Sequence, residues 1–167
     1  MRLVTTALAV LAAGATVGAT VNATPAQADP PRGSGHGYCF DLNSELAHEA
    51  MGTLAPPSVD GGWQPVAAGD DPIAEGCQDV LSWMTVEWQG IHPGRHVLFF
   101  SYGSYLGTAT SKPYAYTDVL GKTKTTVSVR YRWPADSDPL CCPSGSSVVT
   151  FTLADGKVRA DGEFPPN

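Results

Sequence analysis

The sequence predicts an α+β fold, in which one N-terminal amphipathic helix packs on an antiparallel meander of five or six strands and two disulfides hold the chain. Three observations predict it: apolar residues four apart over 42–54, strict alternation over 125–133, and a hairpin pattern over 148–161. A single amphipathic helix has to bury its apolar stripe, and the inner face of a sheet offers the surface for it.

Residues 1–28 have the pattern of a secretory signal peptide. Arg2 precedes an apolar run that extends to Val21, and Ala26-Gln27-Ala28 provides an A-x-A cleavage site before Asp29. A membrane-anchoring helix is the competing interpretation, because about twenty apolar residues span a bilayer. The small residues and Pro25 at the end of the run favour cleavage. No later stretch is apolar enough to span a membrane.

The chain after the predicted cleavage site divides into a tail and one domain. Residues 29–37 consist mostly of Pro, Gly and Ser, which predicts a disordered mature N-terminus. Residues 38–167 are predicted to form a single domain, which begins with the helix. Its apolar face carries Leu42, Leu46, Ala50, Met51 and Leu54. Its N-cap is expected among Asp41, Asn43 and Ser44, and the Ala-Pro-Pro run at 55–57 closes it.

The remaining elements are predicted to be strands. Pro65 makes 63–67 an edge strand at best, and the aromatic and β-branched content of 80–88 favours strand over helix. Residues 96–102 are apolar on both faces and are placed centrally, with a turn at Gly103-Ser104 and a return strand over 105–110. In the last hairpin, a turn at Asp155-Gly156 pairs Leu153 with Val158 and Phe151 with Ala160, apolar against apolar.

Four cysteines follow the signal segment: Cys39, Cys77, Cys141 and Cys142. An even number in an exported chain predicts two disulfides. A bridge within the adjacent pair requires a strained ring, and Pro143 favours an extended Cys142, so that the two neighbours point to opposite faces. We therefore expect Cys39 and Cys77 each to bridge to one member of the pair, and the sequence leaves open which one.

Few residues match a known catalytic pattern. His48-Glu49 lacks the second histidine of a zinc-protease motif, and Gly121-Lys122-Thr123 lacks the glycine that begins a phosphate-binding loop. The remaining candidates for acid–base work are Asp70, Asp71, His92 and His96, each of which is also explained as a turn or strand residue. We predict no metal site and no cofactor, because C-x-x-C spacing is missing and export disfavours a cysteine metal site.

Aromatic residues suggest binding more strongly than these motifs suggest catalysis. Exposed aromatic side chains stack on sugar rings or contact peptides, whereas core packing is the alternative explanation. The candidate binding residues are Trp63, Trp88, Tyr105, Tyr114 and Tyr116. The net charge of −6 at pH 7 argues against nucleic acid as a partner, because phosphate backbones repel an acidic domain.

Several segments together resemble the LppP/LprE lipoprotein family of actinobacterial cell envelopes. The resemblance extends from about Trp63 to Pro165. It rests on Leu81-Ser82-Trp83 after Cys77, and on the segments 96–100, 105–110, 126–133 and 141–145. The family has no established activity, so the resemblance implies no catalytic residues. The resemblance implies that the protein acts at the outer face of the cytoplasmic membrane or in the cell wall.

One departure from the family pattern concerns the lipid anchor. A lipoprotein carries a cysteine directly at the signal cleavage point, where this chain has Ala28-Asp29, and Cys39 lies too far away. We therefore expect a protein that is secreted or associated with the wall.

Three functional hypotheses follow. The first is a non-catalytic module that binds a cell-wall component or an envelope protein; the second is an envelope hydrolase or transferase with an unrecognised site; the third is a purely structural role. The oligomeric state cannot be read from the sequence.

Overall fold

The computed structural model describes residues 29–139 and 141–166, so the predicted signal peptide over residues 1–28 lies outside the described part. Eight strands follow one short helix. The helix α1 is Glu45–Gly52. The strands are β1 (Gln64–Ala68), β2 (Ser82–Glu87), β3 (Arg95–Ser101), β4 (Ser104–Thr108), β5 (Thr117–Lys122), β6 (Thr126–Trp133), β7 (Gly145–Ala154) and β8 (Lys157–Asp161). A 3-10 turn at Ile73–Glu75 lies between β1 and β2.

The predicted α+β fold with a single sheet of five or six strands is wrong. The strands form two four-stranded antiparallel sheets, in the orders β1-β2-β3-β4 and β5-β6-β7-β8, and the fold is mostly β. The strand absent from the prediction is β5, whose alternation is interrupted by a register shift between Val119 and Gly121. Residues 109–116 connect the two meanders, and this connection divides the expected single sheet into two.

The central strand β3 is buried on both faces, as its apolar sequence predicts. Leu98 and Phe100 pack with Met84 and Val86 against the helix, where Leu46, Ala47 and Ala50 complete that core. Val97 and Phe99 point the other way and pack with the second sheet, against Val127, Val129, Tyr131, Val149 and Phe151. The first sheet is therefore the middle layer of three, because successive side chains of a strand point to opposite faces.

Several local predictions are confirmed. Ser44 caps the helix, with its hydroxyl accepting from the Ala47 N–H at 3.2 Å. Residues 80–88 contain a strand, and Val127, Val129 and Tyr131 are buried on one face of β6. In the final hairpin, Leu153 pairs with Val158 and Phe151 with Ala160.

Other local predictions are wrong or incomplete. The first hairpin turns at Tyr102-Gly103, one residue earlier than predicted, and both residues have positive φ, of 40° and 81°. The helix is only eight residues long. Residues 29–37, predicted to be disordered, make specific contacts: the carbonyl of Gly33 accepts from the Asp41 N–H at 2.8 Å, and Arg32 forms an ion pair with Glu49.

The predicted disulfide pairing is also wrong. Cys39 is joined to Cys77, and Cys141 to its neighbour Cys142. Cys39 and Cys77 are both buried, and they share a small apolar cluster with Val80. The expected pairing assumed that the chain ahead of the helix meets the 141–142 loop, but that chain meets the 3-10 turn instead: the Cys39 N–H donates to the Asp71 carbonyl at 2.8 Å.

Candidate functional site

A groove of about 550 Å³ opens on the face of the first sheet that the helix covers. Three of the five aromatic residues predicted to bind line it, namely Trp63, Trp88 and Tyr105. The segment 53–58 after the helix and the segment 107–113, which begins at the end of β4, form its rims. Its volume lies in the range of clefts that hold drug-sized ligands.

The helix is shorter than the strand β3 beneath it. Eight helical residues extend about 12 Å at 1.5 Å per residue. The seven residues of β3 extend about 23 Å at 3.3 Å per residue. The helix covers Leu98 and Phe100, whereas His96, two residues earlier on the same face, packs against the Trp63 ring.

The two tryptophans form one angled aromatic wall. Trp63 precedes β1 and Trp88 follows β2, and their ring centroids lie 5.4 Å apart with an interplanar angle of 50°. Gly94 leaves room for the Trp88 ring, because a Cβ at position 94 would lie only 2.5 Å from the ring atom Cζ3. Tyr105 on β4 stands on the other side of the groove, with its ring centroid 5.4 Å from that of Phe100.

The polar atoms of two of these rings are already engaged within the protein. The Trp63 Nε1–H donates to the Ala55 carbonyl at 2.9 Å, which ties the tryptophan to the rim. The Tyr105 hydroxyl forms a hydrogen bond with the Thr53 side chain. Burial raises the pKa of Tyr105, and this hydrogen bond offsets the rise only in part. These rings therefore offer a ligand their faces.

His96 lies against Trp63, at the base of the groove. The residue is 5% exposed, and its ring centroid lies 5.1 Å from that of Trp63. Burial lowers the pKa of His96, because a charged imidazolium is disfavoured away from water. Its Nδ1 atom is buried and has no hydrogen-bond partner among the residues that the structure describes.

Lys112 provides the only formal charge among the groove-lining residues besides the titratable His96. Its ammonium lies 5.2 Å from the centroid of the Tyr114 ring and forms no ion pair within residues 29–139 and 141–166. No aspartate or glutamate lines the groove. The groove thus carries one basic side chain and no acidic one, on a chain whose net charge is −6.

The other two predicted binding aromatics lie outside the groove. Tyr114 packs against the core between the sheets, edge-on to Tyr131. Tyr116 lines a separate cleft of about 200 Å³, where its hydroxyl lies 2.9 Å from His92 Nδ1 and its ring lies beneath the Arg132 guanidinium.

The candidate acid–base residues are not assembled into one site. Asp70 and Asp71 both pair with Lys122 of β5, which ties the loop after β1 to the second sheet. The hydrogen bond to Lys122 is the main reason that the pKa of Asp70 is lowered. His92 lies in the cleft of Tyr116, and His96 lies at the base of the groove.

Sequence reasoning missed two charged clusters. His36 Nδ1 lies 2.6 Å from an Asp41 carboxylate oxygen, a contact that closes the turn before the helix. Asp118 accepts from Arg130 at 2.8 Å and lies within 4 Å of Arg95 and Arg132. The period-two spacing of Arg130 and Arg132 was visible, but their shared carboxylate lies on the strand that was not predicted. No group of three potential metal ligands is present in the described part of the chain.

Comparison with known proteins supports the resemblance seen in the sequence. Residues 75–156 match the LppP/LprE lipoprotein family model. The resemblance is therefore confirmed over this segment. Proteins named "Putative lipoprotein LppP" from Mycobacterium bovis and Mycobacterium tuberculosis are each 40% identical to this chain over 72 residues. These alignments cover 42% of this chain and 41% of each relative. No solved structure gives a significant match.

The segment similar to LppP/LprE proteins contains only part of the groove. Trp88, His96, Tyr105 and Lys112 lie within residues 75–156, whereas Trp63 and the rim 53–58 precede them.

None of the helices in the described residues has the length and apolar character to cross a bilayer.

Proposed function

We propose that this chain is an exported, envelope-associated binding module that holds its ligand in the groove between Trp63, Trp88 and Tyr105. The observation that carries the proposal is the convergence of these three side chains, from three different strand ends, around an opening of about 550 Å³. Aromatic rings supply large contact areas at low entropic cost, which suits them to binding.

The architecture supports binding on a preformed surface. Gly94 leaves room for the Trp88 ring, and the hydrogen bond to Ala55 ties Trp63 to the rim. A ligand would therefore meet rings that are already oriented, and ordering them would cost little free energy.

The proposed location rests on the signal-peptide pattern of residues 1–28 and on the similarity to envelope lipoproteins. Ala28-Asp29 stands at the proposed cleavage point, so we propose a protein that is released or wall-associated. The intact mass of the protein recovered from its own culture tests this. A mass equal to that of the chain from Asp29 onwards, without an adduct, supports the proposal. A mass that includes a lipid overturns it.

The binding function is tested by sedimentation of the purified protein with isolated cell-wall fractions. We expect Trp88→Ala to reduce the bound fraction severalfold, because the angled aromatic wall is lost. Tyr38→Ala is the matched control, since Tyr38 is 42% exposed and lies outside the groove. Equal binding of the wild type and Trp88→Ala, with both proteins folded by circular dichroism, would refute the groove as the binding site.

A further inference from the structure

The chemistry of the groove's aromatic wall favours a ring-shaped ligand over a peptide. Grooves that recognise extended peptides combine ring faces with polar groups that read the peptide backbone. Here the Trp63 Nε1–H is engaged by the Ala55 carbonyl and the Tyr105 hydroxyl by Thr53. What remains accessible on these two residues is mainly their π faces, which attract the partly positive C–H face of a sugar ring.

The base of the groove favours a ligand that carries hydroxyl groups. His96 lines the base of the groove, and its neutral imidazole carries one donor and one acceptor nitrogen. A hydroxyl can either donate or accept, so it satisfies either tautomer of a neutral imidazole. Thr108 and Ser111 add hydroxyls on the rim. An aliphatic chain would satisfy none of these atoms.

The charge at the rim favours an acidic ligand. Lys112 lines the groove and has no carboxylate partner among the described residues, and no acidic residue shares the lining to compete for it. An anionic group on a ligand would be attracted to this ammonium and would meet no like charge along the walls. A cationic ligand would find no counter-charge there.

The geometry points to an acidic saccharide as the ligand of the groove, with a sugar ring stacked on the Trp63–Trp88 wall, a hydroxyl on His96 and a carboxylate near Lys112. This inference rests on the proposed binding function and adds the chemical class of the ligand. It applies to a short oligosaccharide, whose size matches a cleft of this volume.

The test compares one saccharide with and without its charge. The full mature chain is titrated with trigalacturonic acid and with its methyl ester, and the Trp63 and Trp88 indole signals are followed by NMR. We expect the acid to bind about three- to fivefold more tightly than the ester, which is the range of an exposed ion pair, and 0.5 M salt to remove the difference.

Variants separate the two contacts. Lys112→Gln should weaken binding of the acid more than binding of the ester and so remove the preference for the acid, whereas the matched control Lys157→Gln on β8 should keep that preference. His96→Phe keeps a ring against Trp63 but removes the nitrogen atoms, so it should weaken the acid and the ester by the same factor. If His96→Phe does not fold, removing individual ring hydroxyls from the sugar tests the same contact.

The outcomes distinguish this inference from the proposed function. Equal binding of acid and ester overturns the acidic class but leaves a saccharide-binding groove. Binding of a proline-rich peptide in place of either sugar overturns the saccharide class and leaves the groove as a binding site. If neither the sugars nor the peptide bind, and if binding to the cell wall survives Trp88→Ala, both this inference and the proposed binding function of the groove are overturned.

Discussion

The indole of Trp88 lies directly against the backbone of Gly94, so close that any side chain at position 94 would overlap the ring. The two residues flank the β2–β3 connection, and Trp88 lines the groove. Gly94→Ala should displace Trp88 and destabilise the fold by about 1–3 kcal/mol, the usual cost of overpacking. Chemical denaturation and the near-ultraviolet circular dichroism of the tryptophans measure both effects.

Gly90→Ala is the control for that variant. A Cβ at position 90 would lie 3.7 Å from the same ring, which is an ordinary van der Waals distance. We expect no change in the Trp88 signal. If Gly94→Ala leaves both stability and the tryptophan spectrum unchanged, the Trp88 ring does not pack against Gly94.

The buried imidazole of His96 should make stability depend on pH in mildly acidic solution. Its pKa is lower in the folded protein than the ordinary value near 6.5, so the unfolded chain takes up the proton first. Its contribution to stability is therefore complete above about pH 6.5 and is lost as the pH falls through the folded pKa. Urea denaturation between pH 7.5 and 5 measures the loss.

His96→Phe tests the assignment of this pH dependence. The variant keeps an aromatic ring at the base of the groove and cannot titrate. We expect its stability to vary less than that of the wild type over the same pH range. An unchanged pH profile would assign the dependence to other groups.

The two disulfides should contribute very different amounts to stability. Cys39 and Cys77 are 38 residues apart, and a loop of that length predicts about 4 kcal/mol from the restricted unfolded state. Cys141 and Cys142 are neighbours, so their bridge restricts the unfolded chain far less. Replacing each pair with serine and measuring thermal unfolding distinguishes them. Equal losses for the two variants would contradict this explanation, as would a native disulfide map with Cys39 joined to Cys141 or Cys142.

Asp118 should stabilise the outer face of the second sheet, because it neutralises three arginines at once. Asp118→Asn leaves Arg95, Arg130 and Arg132 with less compensation, and we expect a loss of about 1 kcal/mol at low salt, since the carboxylate is 35% exposed. Asp155→Asn is the control, because its pair with Arg159 is far more exposed. A loss that is the same at 0.05 and 1 M salt would mean that electrostatics is not the cause.

The strands with uninterrupted alternation were predictable from sequence, and the interrupted ones were not. The register of β6 and of the last hairpin follows from period-two patterns such as Val127, Val129 and Tyr131. The strand β5 carries a bulge near Leu120, which moves its side chains out of phase and hides the pattern. Because β5 was not predicted, nothing in the sequence pattern marked where the second sheet begins. The apolar residues of β2 to β4 and of β6 to β8 therefore appeared to belong to one sheet.

The groove was only partly predictable for a different reason. The aromatic content of the sequence made Trp63, Trp88 and Tyr105 candidate binding residues. Their convergence, however, depends on long-range packing at the end of the helix, and the helix is shorter than its apolar periodicity predicts. The apolar period continued to Leu54, whereas the helix ends at Gly52 with Thr53 as its C-cap. That early end leaves the segment 53–58 free to form a rim. The disulfide pairing failed similarly, since no local rule places Cys39 beside the 3-10 turn.

Each sheet is built from four strands that are consecutive in the sequence, and this order affects how the chain folds. Within each sheet, every strand after the first pairs with the one just before it, so no pairing joins segments that are distant in sequence. Local contacts of this kind form quickly, whereas contacts distant in sequence form slowly. We therefore expect the late event in folding to be the docking of the two meanders, when Val97 and Phe99 pack against Val127 and Phe151.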